Sequence, residues 1–178
     1  AFRGRFVADK DVVDWTWEHL EVIPLAELDL GNGLEYGYVT GVYAAESTGG
    51  VDYRWTGGQS SFRLAPTTSG QVRLRLRLAA PRLGDSLPVV AEVWIAGERL
   101  AFWELAPNWA IYETPALPAQ AGTTIEVVLR SGTFIPQEID PGVLDTRVLG
   151  MQVDWIRIVT GITAHRALHE YYGCTPFP

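Results

Sequence analysis

The chain carries a single cysteine among its 178 residues, Cys174, and that excludes an internal disulfide. Lysine is as scarce: Lys10 is alone, and the other thirteen basic residues are arginine. No apolar run reaches the roughly 18 residues that a membrane-crossing helix needs, and no secretory leader is visible. The phosphate loops GxxxxGK[ST] and GxGxxG and the nucleophile motif GxSxG are absent as well. A basic excess is also lacking. With a net charge of −7 the chain repels phosphate backbones, which argues against nucleic acid as a partner. Hydrophobic residues at 47% and charged residues at 20% exclude a disordered chain, and the length suits one domain with one core. Because it begins at Ala1, the chain is expected to be a processed product or a piece of a longer protein.

What the sequence does contain is alternation. In QVRLRLRLA (71–79) Val72, Leu74, Leu76 and Leu78 point one way, and Arg73, Arg75 and Arg77 the other. Ile125, Val127 and Leu129 repeat the pattern against Glu126 and Arg130. Residues 88–105 predict a hairpin around Ala96-Gly97-Glu98, and 51–65 predict another around Thr56-Gly57-Gly58. Residues 34–46 supply an earlier strand. In the last strand Met151 and Val153 share a face while Ile156 and Ile158 take the opposite parity, which predicts a β-bulge near Asp154–Trp155. Helical periodicity is weak outside residues 9–21 and 163–173. Short strands between Gly/Pro turns predict an all-β antiparallel sandwich over residues 31–160. Residues 1–30 and 161–178 are then flanks, irregular or briefly helical.

Three pieces taken in order resemble a known family: YAAESTGGVDYRWTGGQSSFRLA (43–65), NWAIYETPALPAQAGTTIEVVLRSGTFIP (108–136) and DTRVLGMQVDWIRI (145–158). Together they resemble the jelly-roll, carbohydrate-binding-module-like domains attached to bacterial multi-spanning glycosyltransferases of the protein O-mannosyltransferase type. The resemblance covers about residues 30–159. It implies a jelly roll, galactose-binding-like or carbohydrate-binding-module-like, placed outside the cytoplasm beside the membrane part of a parent protein.

Seven Trp and seven Tyr in a β domain suit sugar binding, because pyranose C–H faces stack on flat rings while polar neighbours bond the hydroxyls. The densest group is Trp103, Asn108, Trp109 and Tyr112, with Trp55, on the same strand face as Tyr53, and Arg147 as further contact candidates. Each of these aromatics could equally fill the core or cap its ends. Between 133 and 158, Glu138, Asp140 and Asp145 offer oxygens to calcium, yet their spacing matches no established calcium loop. Asp145-Thr146-Arg147 reads better as an ion pair that fixes loop backbone, and Pro141-Gly142 as a turn.

The three arginines of 73–77 need acidic partners, for which Glu92 and Glu126 are the candidates. His165 and His169 stand at i, i+4, a zinc spacing without a third ligand other than Glu170. Cys174 has no evident base. Glu104 and Glu113 flank the aromatic loop, as a glycosidase pair would, but the sequence cannot place them. The resulting expectation is a non-catalytic extracytoplasmic accessory domain of a membrane glycosyltransferase that recognises a glycan or a lipid-linked sugar. The alternative is a structural, protein-interaction domain that packs on its parent and binds no sugar.

Overall fold

A computed structural model describes residues 9–82 and 88–160. The histidine pair, Cys174 and the proposed tail helix lie outside the described residues. Helix α1 (Asp9–His19) and the short strand β1 (Glu27–Asp29) come first. Strands β2 (Val39–Thr48), β3 (Val51–Leu64), β4 (Gly70–Ala79), β5 (Val89–Ile95) and β6 (Glu98–Leu105) follow. Then come β7 (Ala110–Glu113), β8 (Leu117–Ala119), β9 (Ile125–Ser131), a single helical turn α2 (Pro136–Ile139) and β10 (Gln152–Thr160).

All named strand pairs are antiparallel, in the order β6-β5-β9-β3-β10-β4-β7, with β1 on β10, β2 on β3 and β8 on β4. The sheet curls over one core as a jelly-roll sandwich. The alternation read from 71–79 is what fills it: Val72, Leu74, Leu76 and Leu78 are fully buried, and the three leucines cluster with Phe62, Val127 and Ile156. The predicted bulge is present as a register shift between Val153 and Trp155. One edge of β10 pairs with β4 throughout, while the other passes from β3 at Gln152 and Val153 to β1 at residues 155–157.

Two expectations need correction. Residues 51–64 form one strand rather than a hairpin. The turn lies earlier, at Gly49-Gly50, both with positive φ (62° and 79°), where the β2–β3 hairpin closes in two residues. Gly57 and Gly58 lie within β3, and a Cβ at either would make only ordinary contacts; the close approach is at Gly150, where a Cβ would come within 2.4 Å of the Gly57 carbonyl oxygen. The hairpin at 88–105 does form, with Ala96 (φ 50°) and Gly97 (φ 82°) as its turn and Glu98 already in β6.

The arginine partners also differ from those expected. The neighbours of β4 are β10 and β7, so Arg73 and Arg75 both bond Glu113, and Arg77 bonds Asp154. Glu92 bonds Arg99 instead. Glu126 faces Arg63 in register.

The segment before residue 31 contributes to the core. Val13, Leu28 and Leu30 are buried with the sheet residues. Asp14 fastens α1 to β2 by accepting from Thr40 Oγ1 (2.7 Å) and the Gly41 amide (2.8 Å). Beneath the β2–β3 corner, Glu35 and Arg54 form an ion pair with side chains 0% and 1% exposed. Glu35 Oε1 also accepts from the Gly31 amide, and Arg54 Nη1 donates to the Tyr43 carbonyl.

Removing one member strands the other charge in the core, so Arg54→Met is expected to cost about 3–5 kcal/mol. Arg54→Met combined with Glu35→Leu should recover much of that loss, read from urea midpoints at unchanged slope. Gly150→Ala is also expected to destabilise, because its Cβ would meet backbone and two hydroxyls inside 2.8 Å.

Candidate functional site

Strand alternation sets the site. Along β3, Arg54 points into the ion pair below the sheet, while Tyr53 and Trp55 emerge together on the opposite face, as their spacing predicts. There they form a second apolar cluster with Leu149, against which Tyr43, Trp109 and Phe134 pack. Trp55 meets Phe134 edge-on at 5.8 Å, and Tyr53 meets Trp109 edge-on at 5.6 Å. Phe134 is held in place by paired backbone hydrogen bonds with Leu149, 2.9 and 2.8 Å long.

Tyr53, Trp55 and Phe134 line a surface pocket of about 270 Å³. Its other walls are Pro81 and Arg82 after β4, Pro136 of α2, Asp145, Arg147 and Leu149 before β10, Gln152 at its start, and Glu46 on β2. Trp55 is 7% exposed and Tyr53 5%, so they form the floor, while the half-buried Phe134 stands beside them.

A charged network closes one side. Arg147 Nη2 and Nε donate to Asp145 Oδ2 and Oδ1 at 2.7 and 3.0 Å, and Nη1 donates to Glu46 Oε1 at 2.7 Å. The Arg147 amide also donates to Asp145 Oδ1, so the side chain fixes its own loop as the sequence suggested. Hydrogen bonds from Arg147 outweigh burial and hold the Asp145 carboxyl below the usual aspartate range. The same contacts push the Arg147 guanidinium up. Burial, with Glu46 nearby, raises the Tyr53 phenol.

The group 103–112 does not form one platform. Trp103 and Tyr112 stack at 5.3 Å and pack on the main core, and Tyr112 Oη accepts from the Ala106 amide at 2.7 Å. Trp109 belongs instead to the cluster behind the pocket, under the Arg77 guanidinium at 5.4 Å. Asn108 is exposed on the turn between β6 and β7. Of the expected contact residues, the pocket therefore gathers Trp55 and Arg147, with Trp109 one ring removed. The short TFIP stretch gave Phe134 no alternation that would mark it as a site residue. Arg82 stands on a connection, where periodicity carries no signal.

Among the described residues no group of three or more His, Cys, Asp or Glu is placed to hold a metal ion. Asp145 is occupied by Arg147, and Asp140 Oδ1 accepts from the Gly142 amide in the predicted turn. Glu113 bonds two arginines, and Glu104 is exposed on β6, a strand at the other end of the sheet order.

No protein-family model matches the chain, and no curated protein matches it in sequence. Solved structures do. The C-terminal CBM6 of a marine laminarinase from Zobellia galactanivorans aligns at 17% identity over 75% of this chain and 98% of that one, with a TM-score of 0.46. A CBM6 from Cellvibrio mixtus lichenase 5A, solved with cellotriose, aligns at 13% identity over 78% and 98%, TM-score 0.44. A family 35 carbohydrate-binding module from Clostridium thermocellum aligns at 13% identity over 75% and 98%, TM-score 0.46. The ligands named for those proteins are theirs.

The lowered Asp145 pKa has a defined pH consequence. Its stabilising contribution is complete above the unfolded-state value of about 3.9 and is lost as pH falls through the lower folded-state value. Thermal melts from pH 7 to pH 2 should therefore show a smaller acid loss for Asp145→Asn than for the wild type. Equal losses would mean that the pair contributes nothing.

Proposed function

We propose that this domain recognises carbohydrate in the pocket floored by Tyr53 and Trp55, and that it does so without catalysis. One observation carries the reading: aromatic rings and a ready-made set of hydrogen-bonding groups converge on one open cavity. A sugar ring offers apolar C–H faces and a rim of hydroxyls. The faces suit Phe134 and Trp55, and the hydroxyls suit Glu46, Asp145, Arg147 and Gln152. Because Arg147 holds Asp145 ionised, that carboxyl has no proton to give a leaving group, which favours binding over hydrolysis.

The wider setting follows the resemblance described above. The domain is read as an extracytoplasmic accessory unit of a membrane glycosyltransferase, with a glycan or a lipid-linked sugar as its ligand. A second reading, packing against the parent protein, is favoured by a separate observation. Trp15 (56%), Ile23 (84%) and Leu25 (47%) are exposed along the N-terminal segment, on residues that the sugar pocket does not use.

The test is a glycan array probed with wild type, Trp55→Phe and Arg147→Gln, each confirmed folded by its thermal transition. Loss of one charged hydrogen-bonding side chain in the pocket should weaken binding about tenfold or more. Trp103→Ala is expected to lower stability while the surviving folded protein keeps its affinity. Silence of the folded wild type across the array would transfer the function to the packing surface.

A further inference from the structure

The pocket does not end at Phe134. Arg82 and Phe134 also line a second cavity of about 400 Å³, bounded by Pro88, Val89, Val90 and Gly132. Val90 and Gly132 in turn line a third, of about 310 Å³, which finishes on Glu92 and Arg130. The three share walls in sequence, so they trace one groove from the loop before β10 onto the outer faces of β5 and β9.

Charge distinguishes the far part of this groove from its beginning. Arg147 is neutralised by two carboxylates, but Arg82 and Arg130 form no ion pair among the described residues. Arg82 Nη2 donates to the Gly132 carbonyl at 3.0 Å, Nη1 has no partner among the described residues, and the guanidinium lies 4.2 Å over Phe134. Burial without a counter-charge holds its pKa below the usual arginine range.

Arg130 faces Glu92 in register and, after the hydrogen bond from Arg99, its charge helps to hold that carboxyl below the usual range, yet both Glu92 oxygens accept from other donors. Its Oε1 accepts from Arg99 Nη1 at 2.8 Å and its Oε2 from Trp94 Nε1 at 2.9 Å. Arg130 Nε donates only to the neutral Gln59 Oε1, and its guanidinium lies 4.7 Å over Trp94. In a chain with a net charge of −7, acids are plentiful, and they pair with seven other arginines. Three described arginines are left over: Arg63 donates to the Trp17 and Gly37 carbonyls away from the groove, whereas Arg82 and Arg130 both stand on it. A neutral sugar chain would leave them as they are. Guanidinium forks are matched by planar carboxylates and by sulfates.

We propose that the three cavities form one binding groove for an internal stretch of an acidic polysaccharide, whose carboxylate or sulfate groups pair with Arg82 and Arg130. This rests on the carbohydrate reading of the first pocket and extends it to a ligand class. Anionic groups recur along such a chain, so one strand of it can meet both arginines.

The experiment titrates the intact protein with matched polysaccharides. Polygalacturonate, alginate and hyaluronan are used with carboxyls free or methyl-esterified, and carboxyl-esterified chondroitin with and without sulfate. At least one acidic form should bind about tenfold or more tighter than its neutral counterpart, the scale of a charge-assisted contact, and hexamers should bind more tightly than dimers. Preference for free carboxyl over sulfate, or the reverse, identifies the anion.

Arg82→Gln and Arg130→Gln should each abolish most of the acid preference while neutral binding remains. Arg73→Gln, whose guanidinium bonds Glu113 away from the groove, should leave both unchanged. Equal affinity for acidic and neutral forms, or an Arg130→Gln variant with the wild-type preference, overturns the acidic groove and leaves the sugar reading standing. No binding to any member by folded protein overturns both.

Discussion

The buried pair of Glu35 and Arg54 is the constraint on which the rest of the architecture hangs. Both side chains are almost wholly withdrawn from water, where neither charge is tolerable without the other. The pair therefore demands that the loop 30–38, the β2 backbone at Tyr43 and the middle of β3 meet at one point. A sheet built only of alternating Leu and Val tolerates slippage of its register by two residues. A strand with one buried arginine does not, because no other position offers a carboxylate. Registration by a polar contact costs stability relative to an apolar core and returns a single arrangement.

That registration is what presents the site. Adjacent residues on β3 point to opposite faces, so fixing Arg54 below the sheet fixes Tyr53 and Trp55 above it. One step further along, Thr56 binds the backbone of residues 150 and 151 through both its peptide groups and its hydroxyl. Gly150 lies where any side chain would collide with Gly57 and Thr56. The approach of the two chains at this corner brings Leu149, Arg147 and Asp145 over the Tyr53–Trp55 face. The loop that closes the fold is thus also the wall of the pocket.

Much of this was legible in the sequence, and the reasons differ by feature. Period-two alternation gave β4 and β9, since each is buried on one face only. The parity change between Val153 and Ile156 gave the bulge, because a fixed core face leaves no other solution. The local bond of Arg147 to Asp145 followed from residues two apart in a turn. Long-range pairing did not follow. The acids that neutralise Arg73, Arg75 and Arg77 depend on which strands flank β4, and sequence periodicity carries no information on that order. The Gly57-Gly58 pair misled for a related reason. Glycine can mark a turn or a close approach of backbones: Gly49-Gly50 makes the turn, Gly150 the close approach, and Gly57-Gly58 neither. The aromatic group 103–112 divided because Trp103 on β6 and Tyr112 on β7 pack on the main core, while Trp109 between the strands joins the second cluster.

Burial of the aromatic rings bears on how the pocket would work. Trp55 and Tyr53 expose little area and are locked by Phe134, Trp109 and Leu149, so they lose almost no conformational freedom when a ligand arrives. Arg147 is tethered by two acids before anything binds. Such a site contributes little contact area but is organised in advance, which lowers the entropic cost of binding. Arg82 and Arg130, by contrast, are held against rings rather than against carboxylates. Stacking orients a guanidinium without neutralising it, so its charge stays available along the groove. In the proposed groove, discrimination between ligands would fall to the stacked arginines, and shape recognition to the pocket floor. A tethered arginine cannot do the first task, because its charge is already spent on its neighbours.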